Sequence, residues 1–171
     1  MPTFARRLPL ANGQLQLLCK HFLTAIIVLM DNASPLRTTT TITSTAALTA
    51  VTVAFAQAEK IGIPISVAVV DPSLTLIAFA KGDGATPHSV ETSRRKANTA
   101  ASTGKATGWM DDKLALTLPM ASGNMLTNVP GGVPLLFNGV LGGGLGIAGG
   151  TVEQDNLIAQ AAISAIGADN P

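Results

Sequence analysis

The sequence predicts an α+β domain in which an antiparallel sheet is packed by helices. Three observations carry that expectation. Two pairs of β-rich runs are each joined by a turn too short for a crossover. Stretches of helical periodicity surround them. The resulting order is helix, hairpin, helices, hairpin, helix, whereas a doubly wound parallel sheet would alternate strand and helix.

Ser44 stands where a helix N-cap is expected, and Leu48, Val51, Phe55 and Ala58 follow at helical spacing until Gly62 ends the element. Residues 65–70 form a β-branched run. Asp71-Pro72-Ser73 supplies turn chemistry, and residues 74–80 return as the second strand. Residues 81–87 read as a loop. A helix is expected over 88–103, with Ser89 as its cap, Glu91 near its positive end and Gly104 as its stop. Residues 111–121 form a short further helix. Pro130-Gly131-Gly132 then opens the last section, with a strand over 133–137. Asn138-Gly139 is the strongest hairpin signal in the chain, and a glycine-rich strand returns over 140–147. Thr151 and Gln154 have the spacing of a capping box. The last helix would turn Leu157, Ile158, Ala161, Ala162, Ala165 and Ile166 inward.

This domain is expected over residues 44–168. Residues 1–43 read as an N-terminal extension and linker. Arg6 and Arg7 precede a short apolar run at 22–30, far below the ~20 residues that span a bilayer. Three readings stand side by side: a secretory signal, an extra interfacial helix, and upstream sequence before a start at Met30. The first would make the protein secreted; otherwise a cytoplasmic location is expected. Residues 31–43, with five Thr and a Pro, read as linker.

Charged residues make up 12% of the 171, about half the usual share, so part of the surface is expected to be covered in a homo-oligomer. Net charge is +1, aromatics are 4% and Tyr is absent, which argues against nucleic-acid binding. Cys19 is the single cysteine, so no intrachain disulfide or CxxC metal site exists.

Gly144, Gly146 and Gly149 match a dinucleotide fingerprint, but no second parallel strand with its acidic residue follows. Steric need explains them better: glycine lets a strand lie against a helix or another subunit. Residues 104–107 lack the upstream glycine of a phosphate loop, and no GxSxG elbow is present. His21 and His88 are too few for a three-histidine zinc site. His88 follows a Gly/Pro-rich loop at a helix start. It is either an ordinary loop histidine or a metal ligand or acid–base group. Glu153 and Asp155 suit a helix first turn by charge alone, and would serve as proton-transfer groups if a ligand approached the glycine run before them. Arg94, Arg95 and Lys96 form a basic triplet after Glu91, with Glu91–Arg94 and Glu91–Arg95 pairs expected from helical spacing. They read first as a solvated face, and alternatively as an anchor for a carboxylate.

From Leu48 to Ile166 the chain resembles the GlcG/HbpS family, which includes the C-terminal domain of PduO-type proteins. The resemblance rests on residues 65–71, Leu76-Ile77-Ala78-Phe79-Ala80 with Asp83-Gly84-Ala85, and Arg95-Lys96-Ala97 with Thr99-Ala100-Ala101. It continues through Pro130-Gly131-Gly132-Val133-Pro134 and residues 146–155. It implies a profilin-like antiparallel sheet of about five strands flanked by helices, assembly into rings or octamers, and haem binding in some members. Some PduO-type members ligate haem through a histidine near the domain's N-terminus. Residues 44–60 contain none, so His88 or an oxygen ligand would have to serve. The first functional expectation is therefore a haem- or small-ligand-binding oligomer, with Arg95, Lys96, Gly131 and Gly132 around the ligand. The second is a cofactor-independent isomerase, lyase or hydratase using Glu153, Asp155 or His88. The third is a structural assembly unit.

Overall fold

The structure, a computed structural model, describes residues 20–22 and 36–170. The expectations for Arg6, Arg7, Cys19 and the apolar run from residue 23 onward lie outside the described residues. The chain divides into two units, the second of which begins at Thr40. The second contains the elements α1 (Ser44–Lys60), β1 (Ser66–Val70), β2 (Leu76–Lys81), α2 (Ser89–Thr103), α3 (Asp112–Ala121), β3 (Gly132–Phe137), β4 (Val140–Ala148) and α4 (Val152–Ala165). The helix–hairpin–helices–hairpin–helix order is as expected.

The two hairpins join through their inner strands into one antiparallel sheet of order β2-β1-β4-β3. Among the described residues it has four strands rather than about five. The stretch that would supply another, 105–131, spends its hydrogen bonds differently. The Asn128 side chain accepts from the N–H of Gly108 and of Met110, and the backbone of the stretch meets the strands at Thr107, which pairs with Gly132, and at Gly131, whose carbonyl accepts from Ile147 N–H. A side chain thus takes the place of a backbone ladder.

β1 is buried along its whole length because both sheet faces are covered. On one face Val67, Val69, Leu145 and Ile147 meet α1 and α4 in the main core. On the other, Ala68 and Val70 meet Ala97 and Ala101 of α2. This second face has almost no side-chain depth. A Cβ on Gly146 would strike the Ser93 carbonyl oxygen, and one on Gly144 would strike that of Ala97. The glycine run of β4 therefore lets helix backbone rest directly on strand backbone, the steric role expected for it.

The turns follow their side chains. Asp71 Oδ1 accepts from Ser73 N–H (2.8 Å) and Thr75 N–H (2.9 Å). Asn138 and Gly139 both have positive φ (51° and 76°), the requirement of a type I′ turn. The Thr151–Gln154 capping box is present in full. Three local expectations are corrected. Thr43, not Ser44, caps α1, because its extended backbone lets its hydroxyl accept from Ala46 N–H. Leu48 is exposed, and Ala47, Ala50, Val51 and Ala54 face the core instead. In α4 the buried stripe is Asp155, Ile158, Ala159, Ala162 and Ile163, which leaves Leu157 outside. Ile42 already belongs to the core, and its N–H donates to Gly142 O at 2.8 Å.

Candidate functional site

α2 and α4 lie on opposite faces of the sheet, yet one side chain from each meets at the sheet's end. Lys96 of α2 reaches past the start of β3 and donates from Nζ to Asp155 Oδ2 of α4 (2.7 Å) and to Ile147 O of β4 (2.6 Å). The other carboxylate oxygen, Asp155 Oδ1, accepts from Gly150 N–H at 3.0 Å. Both side chains are 3% exposed. The solvated face expected for Lys96 is thus corrected: its direction on α2 points at the sheet, and the ammonium finds buried acceptors there. Burial pushes the Lys96 amine below its ordinary value against the pull of Asp155. Burial likewise pushes the Asp155 carboxyl up, against the hydrogen bonds from Lys96 and Gly150.

Gly131 and Gly132 make this reach sterically possible. A Cβ on Gly131, whose φ is +106°, would lie 2.8 Å from Lys96 Nζ and 3.0 Å from Asp155 Cβ. One on Gly132 would collide with the Lys96 carbonyl. Both were expected around a ligand; they pack against the ion pair and are not part of the lining of the cavity that the pair borders.

The pair forms part of the lining of a cavity of about 210 Å³, together with His88, Ser89, Thr86 and Thr92. Three of the expected residues, His88, Lys96 and Asp155, therefore come together. Glu153 and Arg95 do not. Glu153 is exposed, and its carboxyl is held low by its own backbone N–H and the Thr151 hydroxyl. Arg95 turns to Glu91, with Nε 4.0 Å from the carboxylate. Ser89 is not the cap of α2; the N-cap is His88, which makes no side-chain capping bond. Ser89 is buried instead, donating to Thr86 O at 2.6 Å and lying 2.7 Å from Ser66 Oγ. Thr86 and Thr92 were missed as lining. The signal for the helical part was present: Ser89, Thr92 and Lys96 recur every three to four residues on one face of α2. Among the described residues no three His, Cys, Asp or Glu side chains cluster so as to hold a metal ion, and no helix is long and apolar enough to cross a membrane.

The family model described as haem-degrading protein HbpS-like matches residues 42–164, most of the chain and all but the ends of this domain. The chain belongs to the HbpS-like family. An uncharacterised 15.0 kDa protein from the dhaT–dhaS intergenic region of Citrobacter freundii is 35% identical over 116 residues, covering 63% of this chain and 80% of that protein. The corrinoid adenosyltransferase PduO of Salmonella typhimurium is 37% identical over 116 residues, 64% of this chain but only 34% of PduO, so the HbpS-like chain spans about a third of that relative. A crystal structure of a PduOC–haem complex superposes with a TM-score of 0.70 at 30% identity, covering 75% of this chain and 97% of that one.

Two concavities of the HbpS-like domain can be compared with the size of a haem. The 210 Å³ cavity lies below the ~300–1,000 Å³ of sites that enclose a drug-sized ligand, so the macrocycle does not fit inside it. Its rim does carry His88, which is exposed and is the one histidine between residues 36 and 170. A second groove, about 740 Å³ between α1 and the ends of β1 and β2, has the volume. Its lining includes Phe55, Ile63 and Lys81 but no His, Cys or Met, leaving only Glu59 and Asp83 as carboxylate ligands.

Proposed function

We propose that this HbpS-like chain is a ligand-binding subunit of a homo-oligomer, and that haem binds over the mouth of the polar cavity with His88 as its axial ligand. The observation that carries this is the position of His88: an exposed imidazole on the rim of a cavity too small to take the macrocycle inward. Haem held there would be left uncovered by this chain on its outer side, which a second subunit would close. The haem complex of PduOC supports the choice of ligand. Titrating haemin into the full chain should give a saturable Soret shift, and His88→Ala should abolish it or weaken binding at least tenfold. A titration unchanged by His88→Ala would reject this ligation.

The assembly surface follows from α3. Its sequence is mostly apolar, yet it buries no residue in the single chain, and Leu116 and Met120 are 71% and 77% exposed. Such a helix on a charge-poor protein is suited to a second copy of itself. Leu116→Glu with Met120→Glu should reduce the mass seen by light scattering to that of a smaller species while leaving the circular dichroism spectrum intact. An unchanged mass would remove α3 from the interface.

One observation favours a second reading, a proton-transfer enzyme. Lys96 and Asp155 are opposed in charge, adjacent, and both shifted toward their neutral forms by burial. A pair of that kind beside a cavity can exchange a proton with a bound molecule.

A further inference from the structure

We infer that the cavity beneath His88 is a subsite for a small hydroxylated carboxylate, distinct from the surface that would take haem. This rests on reading the same region as a ligand site, and adds to it the chemical class of what enters. About 210 Å³ corresponds to roughly seven waters at ~30 Å³ each, which admits a molecule of about six non-hydrogen atoms.

Hydrogen-bond accounting then gives the polarity. The Lys96 ammonium has three N–H bonds, and Asp155 and Ile147 accept two of them. One donor on a nearly fully buried cation is left for a guest, and a charged acceptor makes the strongest use of it. The charge of Asp155 is offset by the Lys96 ammonium at 2.7 Å, and its second oxygen is turned to Gly150 N–H. The remaining polar groups have the opposite need. Ser89 Oγ donates to Thr86 O (2.6 Å) and is matched by Ser66 Oγ at 2.7 Å, whereas Thr92 Oγ1 donates to His88 O (3.0 Å) and retains capacity to accept. A guest matching this wall presents an anionic acceptor toward Lys96 and a hydroxyl donor toward Thr92. A short hydroxy acid has both groups within the allowed size.

The probes are lactate, propionate, which lacks the hydroxyl, and lactamide, which lacks the charge. Each would be titrated into the full chain by calorimetry at constant ionic strength, with amide chemical shifts of Gly149, Gly150 and Thr92 followed by NMR. Lactate should bind saturably and perturb those three amides, with propionate at least threefold and lactamide at least tenfold weaker. Lys96→Met should lose lactate binding. Because loss of Lys96 also costs stability, Thr92→Leu is the second: it fills the cavity without touching the ion pair, and should weaken lactate at least tenfold. Absence of saturable lactate binding, equal binding of lactamide, or unchanged binding to Thr92→Leu overturns the inference. Haemin titration separates the two readings. Haemin binding through His88 without any lactate binding removes this subsite and leaves the haem reading standing. Lactate binding without haemin binding supports the subsite alone.

Discussion

Asp155→Asn is expected to destabilise the protein by about 3–5 kcal/mol at neutral pH, because it leaves the Lys96 ammonium buried without its counter-charge. Lys96→Met should cost a similar amount by stranding the carboxylate. The double variant Lys96→Met with Asp155→Leu should regain most of the loss, since apolar groups of like volume remove the desolvation cost along with the attraction. Urea unfolding of the four proteins measures the coupling, and simple additivity of the two single losses would show that the residues do not act as a pair.

The pH dependence of the single variants has opposite signs. In Asp155→Asn, Lys96 loses the partner that raised its pKa, so its folded value falls further below 10.5. The unfolded chain then binds more protons over the interval up to 10.5, and stability relative to wild type rises with pH through it. In Lys96→Met, Asp155 loses the partner that lowered its pKa, and its folded value rises further above 3.8. A raised carboxyl contributes stability that is present below 3.8 and lost as pH rises through the folded value, so this variant gains on wild type as pH falls. Parallel slopes for the two would be incompatible with a buried pair.

The second large effect is expected at Gly146→Ala. The added methyl would meet the Ser93 carbonyl oxygen, with Ala97 N at 2.6 Å and Lys96 Cβ at 3.0 Å. Two of these neighbours are helix backbone, which cannot rotate aside. α2 must lift from the sheet, at a cost of roughly 3 kcal/mol or more. The same movement would draw Lys96 away from Asp155, so ligand binding should fall with stability. Gly104→Ala is the control. Its φ is +65° but nothing lies within 4 Å, so only backbone strain of roughly 1–2 kcal/mol is expected. Thermal unfolding that ranked Gly104→Ala as the more damaging would contradict the close packing of α2 on β4.

Much of the site lay beyond reading along the chain. Asp155 in a helix first turn is fully accounted for by dipole complementarity, and Lys96 in a basic triplet by solvent exposure. Neither explanation fails until α2 and α4 are known to meet around the sheet's end. The stripe of Ser89, Thr92 and Lys96 could have been found from its spacing, because helical period is a local property. The stripe's partners on α4 and on the 149–150 turn could not.

The order of the elements, their turns and the family were legible along the chain, while individual caps and inward-facing positions were not. Turn chemistry at Asp71 and Asn138-Gly139, the capping box at Thr151 and the apolar periodicities act over a few residues, so their positions in the chain suffice to read them. The glycine run of β4 was legible as a close approach, though not what approached. Only the tertiary structure decided that Lys96 and Asp155, 59 positions apart, form one buried pair, that Gly131 and Gly132 clear its path, and that Arg95 and Glu153 stay outside. Those facts depend on which faces of α2 and α4 turn inward, a choice made by packing against the sheet.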